Sequence, residues 1–123
     1  MLIVTSPEAS CVNGGGVRFY DSSQFSSDEG TQSITATSMP DASGGRVVTL
    51  SGLLSNISGA SASIKVPSEI AATSKQNLPA TISGQGGGER ITSCYIQGST
   101  IHLEYYQTQG GTINLTGCQY RSE

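Results

Sequence analysis

The residues of this chain that could perform acid–base chemistry are few. His102 is the only histidine, and it stands two positions before Glu104 in the alternating run Thr100 to Tyr106. Positions two apart on a strand lie roughly 6.5–7 Å from each other, too far for the hydrogen bond that orients a catalytic histidine. The adjacent acids Asp28 and Glu29 stand in a polar stretch, where carboxylates are usually solvated. We therefore expect no enzymatic activity.

The cysteines give no metal or redox motif. Cys11, Cys94 and Cys118 are irregularly spaced. Cys94 and Cys118 fall on runs that could be neighbours in a sheet and could form a bridge, but a reducing compartment favours free buried thiols. His102 has no partners at zinc-site spacing, and the glycine runs lack the lysine of a phosphate-binding loop. The sequence predicts no metal and no cofactor.

The tyrosines indicate packing or binding instead of catalysis. Tyr95, Tyr105, Tyr106 and Tyr120 lie in the last third of the chain, among several glutamines. A tyrosine ring packs while its hydroxyl bonds, so such clusters serve core packing, subunit interfaces and ligand contact alike. Alternation along the strand predicts that Tyr105 points inward and Tyr106 outward.

Four residues are our candidates for an interface or ligand contact: Phe25, Tyr106, Gln107 and Tyr120. Phe25 is the single aromatic residue of the polar, acidic stretch from Asp21 to Gly30. It either docks on a neighbouring subunit or is lightly tucked into its own loop.

Three alternating runs must position most of these side chains. They are Ile91–Gln97, Thr100–Tyr106 and Thr112–Thr116, separated by Gly98-Ser99 and Gly110-Gly111. Short glycine-containing connections between alternating runs are a strong hairpin signal, because glycine reaches the positive φ of a tight turn. We predict an antiparallel β-meander with one buried and one solvated face.

Short β-runs also fill the rest of the chain, from Leu2–Thr5 through Thr31–Thr37 and Arg46–Leu54. About eight or nine strands, with turn signals roughly every eight to twelve residues, predict an all-β fold: an antiparallel β-sandwich or a jelly roll. The only helical pattern, Ser68 to Lys75, fits either at most two helical turns, with Ser68 as the cap and Ile70 and Ala71 facing the core, or an irregular loop. We expect residues 1–45 to form an N-terminal arm with accessory strands and residues 46–123 the sandwich core, within one structural domain.

The composition restricts the partners. Of the 123 residues, 35% are hydrophobic and 12% charged, with 16 glycines. So thin a core favours self-association, because a shared interface buries apolar surface that one copy cannot. The net charge is −3 and the six basic residues are scattered singly, so nucleic acid is not an expected partner. No apolar stretch is long enough to span a membrane, and the first residues lack a basic signal-peptide start.

Several short motifs follow one another in the second half of the chain. They are V-V-T-L-S-G-L (Val47–Leu53), Leu78-Pro79, G-S-T-I-H-L (Gly98–Leu103) and G-G-T-I-N-L-T-G-C-Q-Y-R (Gly110–Arg121). This order resembles the small β-sandwich modules that end tailed-bacteriophage tail fibres, baseplate appendages and head fibres. Those modules commonly close on I-N-L-x-G followed by an aromatic residue and arginine. The resemblance covers Arg46 to Arg121.

The resemblance implies a trimeric, non-enzymatic virion component, made in the host cytoplasm, whose partners are other virion proteins and a host surface glycan. The first hypothesis is a tail- or fibre-associated appendage that engages the host surface through loops at one end of the sandwich. The second is a capsid decoration, or cement, protein that stabilises the shell through residues 1–45. The third is a stand-alone carbohydrate-binding module.

Overall fold

The computed structural model describes residues 16–84, 87–107 and 110–122. Within these ranges the chain is all-β, with thirteen strands and two short 3₁₀ turns. The expected strand at Leu2–Thr5, and Cys11, lie outside the described residues. The strands are β1 (Arg18–Tyr20), β2 (Ser26–Ser27), β3 (Thr31–Gln32), β4 (Thr35–Pro40), β5 (Arg46–Ser51), β6 (Leu53–Ser55), β7 (Ser61–Lys65), β8 (Gln76–Asn77), β9 (Thr81–Ser83), β10 (Arg90–Gln97), β11 (Thr100–Tyr106), β12 (Thr112–Asn114) and β13 (Gln119–Ser122).

The described strands form three antiparallel sheets, an architecture consistent with a β-sandwich. The first sheet has the order β1-β4-β5-β13, the second β2-β7-β11-β10-β8 and the third β3-β6-β12-β9. The all-β prediction is confirmed, but the expected count of about eight or nine strands is wrong. Some strands have only two residues, too few to show alternation, and two expected strands each divide between two sheets.

A shared bend causes this division. The pairing of β4 with β5 in the first sheet continues as the pairing of β3 with β6 in the third. At the bend, the backbone N–H of Ser33 donates to the Leu53 carbonyl at 2.9 Å. Gly52 has a φ of +114°, and a Cβ there would lie 2.2 Å from the Ser33 carbonyl oxygen. Glycine is therefore required where the two strands turn the corner together.

The β10–β11 hairpin forms as expected, with Gln97 opposite Thr100 and Arg90 opposite Tyr106. The expected three-strand meander is wrong, because β12 lies in the third sheet between β6 and β9. The free edge of β11 is taken by β7, which pairs with it from Thr100 to Glu104. The long-range pairing with β7 therefore displaces the local pairing that the sequence suggested.

Alternation assigns the two faces of each strand correctly where the strand is long. Tyr105 is 3% exposed and Tyr106 is 45% exposed, which confirms the predicted inward and outward positions. The expected inward residues Val48 and Leu50 of β5 are fully buried. The other fully or almost fully buried aliphatic side chains are Ile34, Leu54, Ile64, Ile70, Ile96, Ile101, Leu103, Ile113 and Leu115. Residues from all three sheets thus share one hydrophobic core.

The segment with helical pattern forms a single 3₁₀ turn at Ser68–Ile70. Pro67 occupies the N-cap position and no side chain caps the turn, so the expected cap by Ser68 is wrong. The inward position expected for Ile70 is confirmed, and its carbonyl accepts a hydrogen bond from the Tyr120 hydroxyl at 2.7 Å. Of the two alternatives, the structure has the irregular loop.

Residues 18–40 contribute strands to all three sheets: β1 and β4 to the first, β2 to the second and β3 to the third. The expected boundary at residue 45 lies in the loop between β4 and β5, which pair with each other. The described part of residues 1–45 is therefore built into the sandwich. No helix in the described ranges is long and apolar enough to cross a membrane.

Candidate functional site

The outward face of the second sheet concentrates the polar and aromatic groups of the described residues. Because Ile64, Ile101 and Ile96 of its central strands point into the core, their neighbours in sequence point outward. We call this face the polar wall; its side chains are Ser63, Lys65, Lys75, Arg90, Tyr95, His102, Glu104 and Tyr106.

The centre of the polar wall is a column of three side chains. His102 lies directly opposite Tyr95 across the β10–β11 ladder, and their rings stack with centroids 4.9 Å apart and planes inclined by 24°. The Lys75 ammonium nitrogen lies 4.3 Å from the centroid of the Tyr95 ring. Tyr95 is on β10, with His102 on β11 at one side of it and Lys75, just before β8, at the other. The tyrosine ring therefore lies between the His102 ring and the Lys75 ammonium group. Such an arrangement fixes the rings without a ligand.

A polar groove of about 380 Å³ adjoins this column. It is lined by Ser26, Ser27, Asp28, Ser63, Lys65 and Thr100. The backbone N–H of Ser63 donates to the Asp28 carboxylate at 2.7 Å, and the Asp28 N–H donates to the Ser63 carbonyl at 3.1 Å. The carboxylate is thus held in place while Lys65 supplies the opposite charge. Hydroxyls with one acid and one base suit the hydrogen bonding of a neutral polar ligand such as a sugar.

Tyr106 stands at the far end of the polar wall. The Arg90 guanidinium carbon lies 4.7 Å from the centroid of its ring. Among the four contact candidates, Tyr106 is the exposed aromatic side chain, and its position agrees with a contact role.

The other three candidates do not present free side chains. Phe25 is 5% exposed and packs in the hydrophobic core, deeper than the alternative of a side chain lightly tucked into its own loop. Tyr120 is 2% exposed, and its hydroxyl is used by the Ile70 carbonyl. The Gln107 amide donates to the Gly59 carbonyl at 3.2 Å and accepts from the Gly111 N–H at 3.3 Å. These contacts make Phe25, Gln107 and Tyr120 structural residues within the chain.

No pattern in the sequence marks Lys75, Tyr95 and His102 as one site. His102 was correctly expected on the solvated face, and Tyr95 has the same outward parity as Gln97. Lys75 reaches the column from a different part of the chain, and only the pairing of β8 with β10 brings it there. Sequence alone gives no signal for that pairing.

Among the described residues, the adjacent acids and the thiols each have a place in the fold. Glu29 accepts hydrogen bonds from the Ser58 N–H and hydroxyl, while Asp28 serves Ser63, so the two carboxylates have separate structural partners. Cys94 and Cys118 are free and buried, as expected. Burial, with a smaller effect of Cys118, raises the pKa of the Cys94 thiol to about 12, which suppresses the nucleophilic thiolate. The described residues contain no group of three or more potential ligands that could hold a metal ion.

The outward face of the first sheet has the opposite character. We call it the neutral wall; its side chains are Val17, Phe19, Thr37, Met39, Val47, Thr49, Gln119 and Arg121. Val17, Phe19 and Met39 are 52%, 64% and 50% exposed. The first and second sheets therefore present outer surfaces of different chemistry.

Comparison with known proteins found no matching family model, no matching curated protein and no matching solved structure.

Proposed function

We propose that this chain is a non-enzymatic structural component of a tailed-bacteriophage virion, a tail- or fibre-associated appendage that engages the host surface. The sequence resemblance from Arg46 to Arg121 suggests the class of particle. The observation that supports the engaging role is the column of Lys75, Tyr95 and His102 beside the polar groove. Tyr95 and His102 are held on paired strands and Lys75 stands directly before a third, so the column needs little reorganisation to meet a ligand.

The ligand class that suits this surface is a host surface glycan. Aromatic rings pack against the apolar faces of sugars, while neighbouring hydroxyl and charged groups bond to their hydroxyls. The polar wall offers the exposed Tyr106 ring for packing, and Asp28 and Lys65 as bonding groups. The Tyr95 ring, held between His102 and Lys75, presents its edge. The contact then lies on the flat outer face of a sheet, and not only on loops at one end of the sandwich.

The proposed assembly is a homo-oligomer, a trimer by the resemblance, that is held on the particle by other virion proteins. The capsid decoration alternative assigned shell binding to residues 1–45. Residues 18–40 of that segment belong to the three sheets. No described contact favours shell binding, so decoration is an outcome of the test below and not a second proposal.

The test is the binding of labelled full-length chain to host cells and to empty shells. We expect saturable binding to cells and none to shells. His102→Ala and Tyr95→Ala should each weaken cell binding roughly tenfold, since one aromatic contact is worth about 1.4 kcal/mol. Gln97→Ala, on the same strand and face as Tyr95, is the matched control and should bind like the parent chain.

The other outcomes identify the rival functions. Binding to shells without binding to cells would replace the appendage by a decoration protein. Binding to a glycan array by a chain absent from purified virions would indicate a stand-alone carbohydrate-binding module. If Tyr95→Ala and His102→Ala both leave cell binding unchanged, the polar wall is not the surface that binds the host.

A further inference from the structure

The neutral wall consists of two rows of side chains that cross the first sheet. In one row Phe19 lies opposite Thr37, which lies opposite Thr49. In the other row Met39 lies opposite Val47, and Val47 opposite Arg121. Val17 precedes β1 with the same parity as Phe19, which places it beside Met39. Three large apolar side chains thus meet on one outer surface.

Three of the five exposed large hydrophobic side chains of the described residues meet in this one place. Val17, Phe19 and Met39 are each at least half exposed. Together they form an apolar patch on the order of 300 Å², a size at which such patches on monomers are often functional. A standard interface covers about 800 Å² on each partner, so the patch has the size of an interface centre, and the surrounding threonines and Gln119 supply a polar rim.

The charge of the neutral wall indicates which partner fits. Its one charged side chain, Arg121, forms a salt bridge with Asp41 at 2.8 Å and donates to the Gly44 carbonyl at 2.6 Å. The wall is therefore close to neutral although the chain has a net charge of −3. A second copy necessarily brings the same charges, and like charges in contact oppose association. Two copies can therefore meet through the neutral wall without that repulsion. The outward positions of the third sheet are uncharged as well, but among the described residues they carry one exposed large hydrophobic side chain, Leu53, against three in the neutral wall.

The polar wall shows the contrast. It bears Lys65, Lys75, Arg90 and Glu104, and Asp28 lies in its groove. Two such faces placed together would bury unpaired charges or juxtapose like ones, which is costly. The polar wall thus suits a different molecule, and the neutral wall suits a second copy of this chain.

The position of the patch supports the same partner. Among the described strands, β1 is the outermost strand of the first sheet and pairs with β4 alone. Within the described part of the chain, the patch therefore lies at the outer edge of its sheet. Residues beside the symmetry axis of a closed oligomer meet their counterparts from the other copies. We infer that the neutral wall is the contact between copies of this chain, with Phe19 and Met39 at its centre.

This inference deepens the proposed function, on which its biological meaning rests, by naming the surface that holds the oligomer together. The test is sedimentation of the full chain over a wide range of protein concentration. The parent chain should be a defined oligomer that dissociates on dilution. Phe19→Thr and Met39→Thr each place a β-branched residue, which favours strands, where a large apolar side chain stood. Each substitution should weaken association roughly 30-fold, as expected for central interface residues.

Two exposed apolar side chains outside the neutral wall are the controls. Leu53→Thr in the third sheet and Tyr106→Thr on the polar wall should leave association unchanged. Far-ultraviolet circular dichroism of each variant checks that it folds. Should Phe19→Thr fail to fold, Val17→Thr, which lies before β1, provides the same test outside a strand.

Three results would overturn the inference. They are a parent chain that stays monomeric at every concentration, an oligomer unaffected by the Phe19 and Met39 variants, and an oligomer dissociated by the control variants. A monomer that binds host cells would contradict this inference and leave the proposed host contact standing. An oligomer held by Phe19 that binds neither cells nor virions would support this inference and contradict the proposed function.

Discussion

The His102 ring stacks on the Tyr95 ring of the neighbouring strand, with centroids 4.9 Å apart. This relationship links the fold to the proposed contact surface, because it exists only when β10 and β11 pair in the observed register. A slip of either strand by one residue would turn the ring of that strand toward the core and separate the pair. The hairpin register is thus what builds the centre of the polar wall.

The column should contribute measurably to stability. We expect Tyr95→Ala to lower the free energy of unfolding by about 1–2 kcal/mol, because it removes a cross-strand ring pair and the contact with the Lys75 ammonium group. Gln97→Ala, two positions along the same face, should change it by less than about 0.5 kcal/mol. Urea unfolding followed by circular dichroism measures both. Equal losses in the two variants would mean that the column contributes nothing to folding.

The paired tyrosines at the end of β11 give a test of the face assignment. The Tyr105 hydroxyl shares its proton between the Ser58 carbonyl, 3.1 Å away, and the Ser61 carbonyl, 3.2 Å away. Tyr105→Phe should therefore lower the free energy of unfolding by about 1 kcal/mol, since this part-buried hydrogen bond is lost. Tyr106→Phe removes the same atom from the exposed neighbour and should be close to neutral. A larger loss for Tyr106→Phe would show that the strand faces are reversed.

The corner at Gly52 should tolerate no side chain. Gly52→Ala places a Cβ against the Ser33 carbonyl at a φ of +114°, and we expect a loss of about 3 kcal/mol or more in unfolding free energy. Gly98→Ala is the matched control, because Gly98 also has positive φ (+60°) but no atom within 4 Å of the added Cβ. Its cost should be only about 1–2 kcal/mol. Thermal unfolding of both variants compares them, and similar losses would argue against the close approach at Gly52.

The buried thiols should make the fold sensitive to alkali. The pKa of Cys94 is raised by burial from its ordinary value of 9.0 to about 12. Above pH 9.0 the unfolded chain therefore loses a proton that the folded chain keeps, and the free energy of unfolding falls with rising pH, by up to about 1.4 kcal/mol per pH unit for this group. Below pH 9.0 the thiol is protonated in both states and has no such effect.

The variant Cys94→Ala isolates this effect. Between pH 9.0 and 10.0, below the ordinary pKa of tyrosine, its unfolding free energy should fall less steeply than that of the parent chain. Cys118, whose pKa is also raised by burial, keeps part of the slope in the variant. Urea unfolding at a series of pH values provides the comparison. Identical slopes would contradict the burial of a neutral Cys94 thiol.

Local patterns in the sequence predicted the faces of the long strands and the β10–β11 turn. They failed where pairing joins distant segments: β12 pairs with β6 and β9, and two-residue strands such as β3 have no readable period. Phe25 stands among polar residues, so no periodicity revealed that it is buried. The burial of Tyr120 could have been predicted from the sequence. Its polar neighbours Gln119 and Arg121 indicate the outward positions of an alternating strand, which places Tyr120 inward.

The candidate site was predictable only in part. Tyr106 followed from alternation, whereas the column depends on three segments that meet in one sheet. The neutral wall was missed because Val17 and Phe19, at a three-residue strand, are separated from Met39, near the end of β4, by a long polar stretch of sequence. Their shared surface exists only through the pairing of β1 with β4.

A cryo-electron microscopy map of the virion produced from the genome that encodes this chain tests the account most directly. We predict repeated copies of the sandwich on the tail or its fibres, with Phe19 and Met39 at the contacts between copies and the Tyr95–His102 column facing outward. A virion without density for the chain would contradict the proposed function. Copies that meet through the polar wall and expose Phe19 to solvent would contradict the assignment of the two walls.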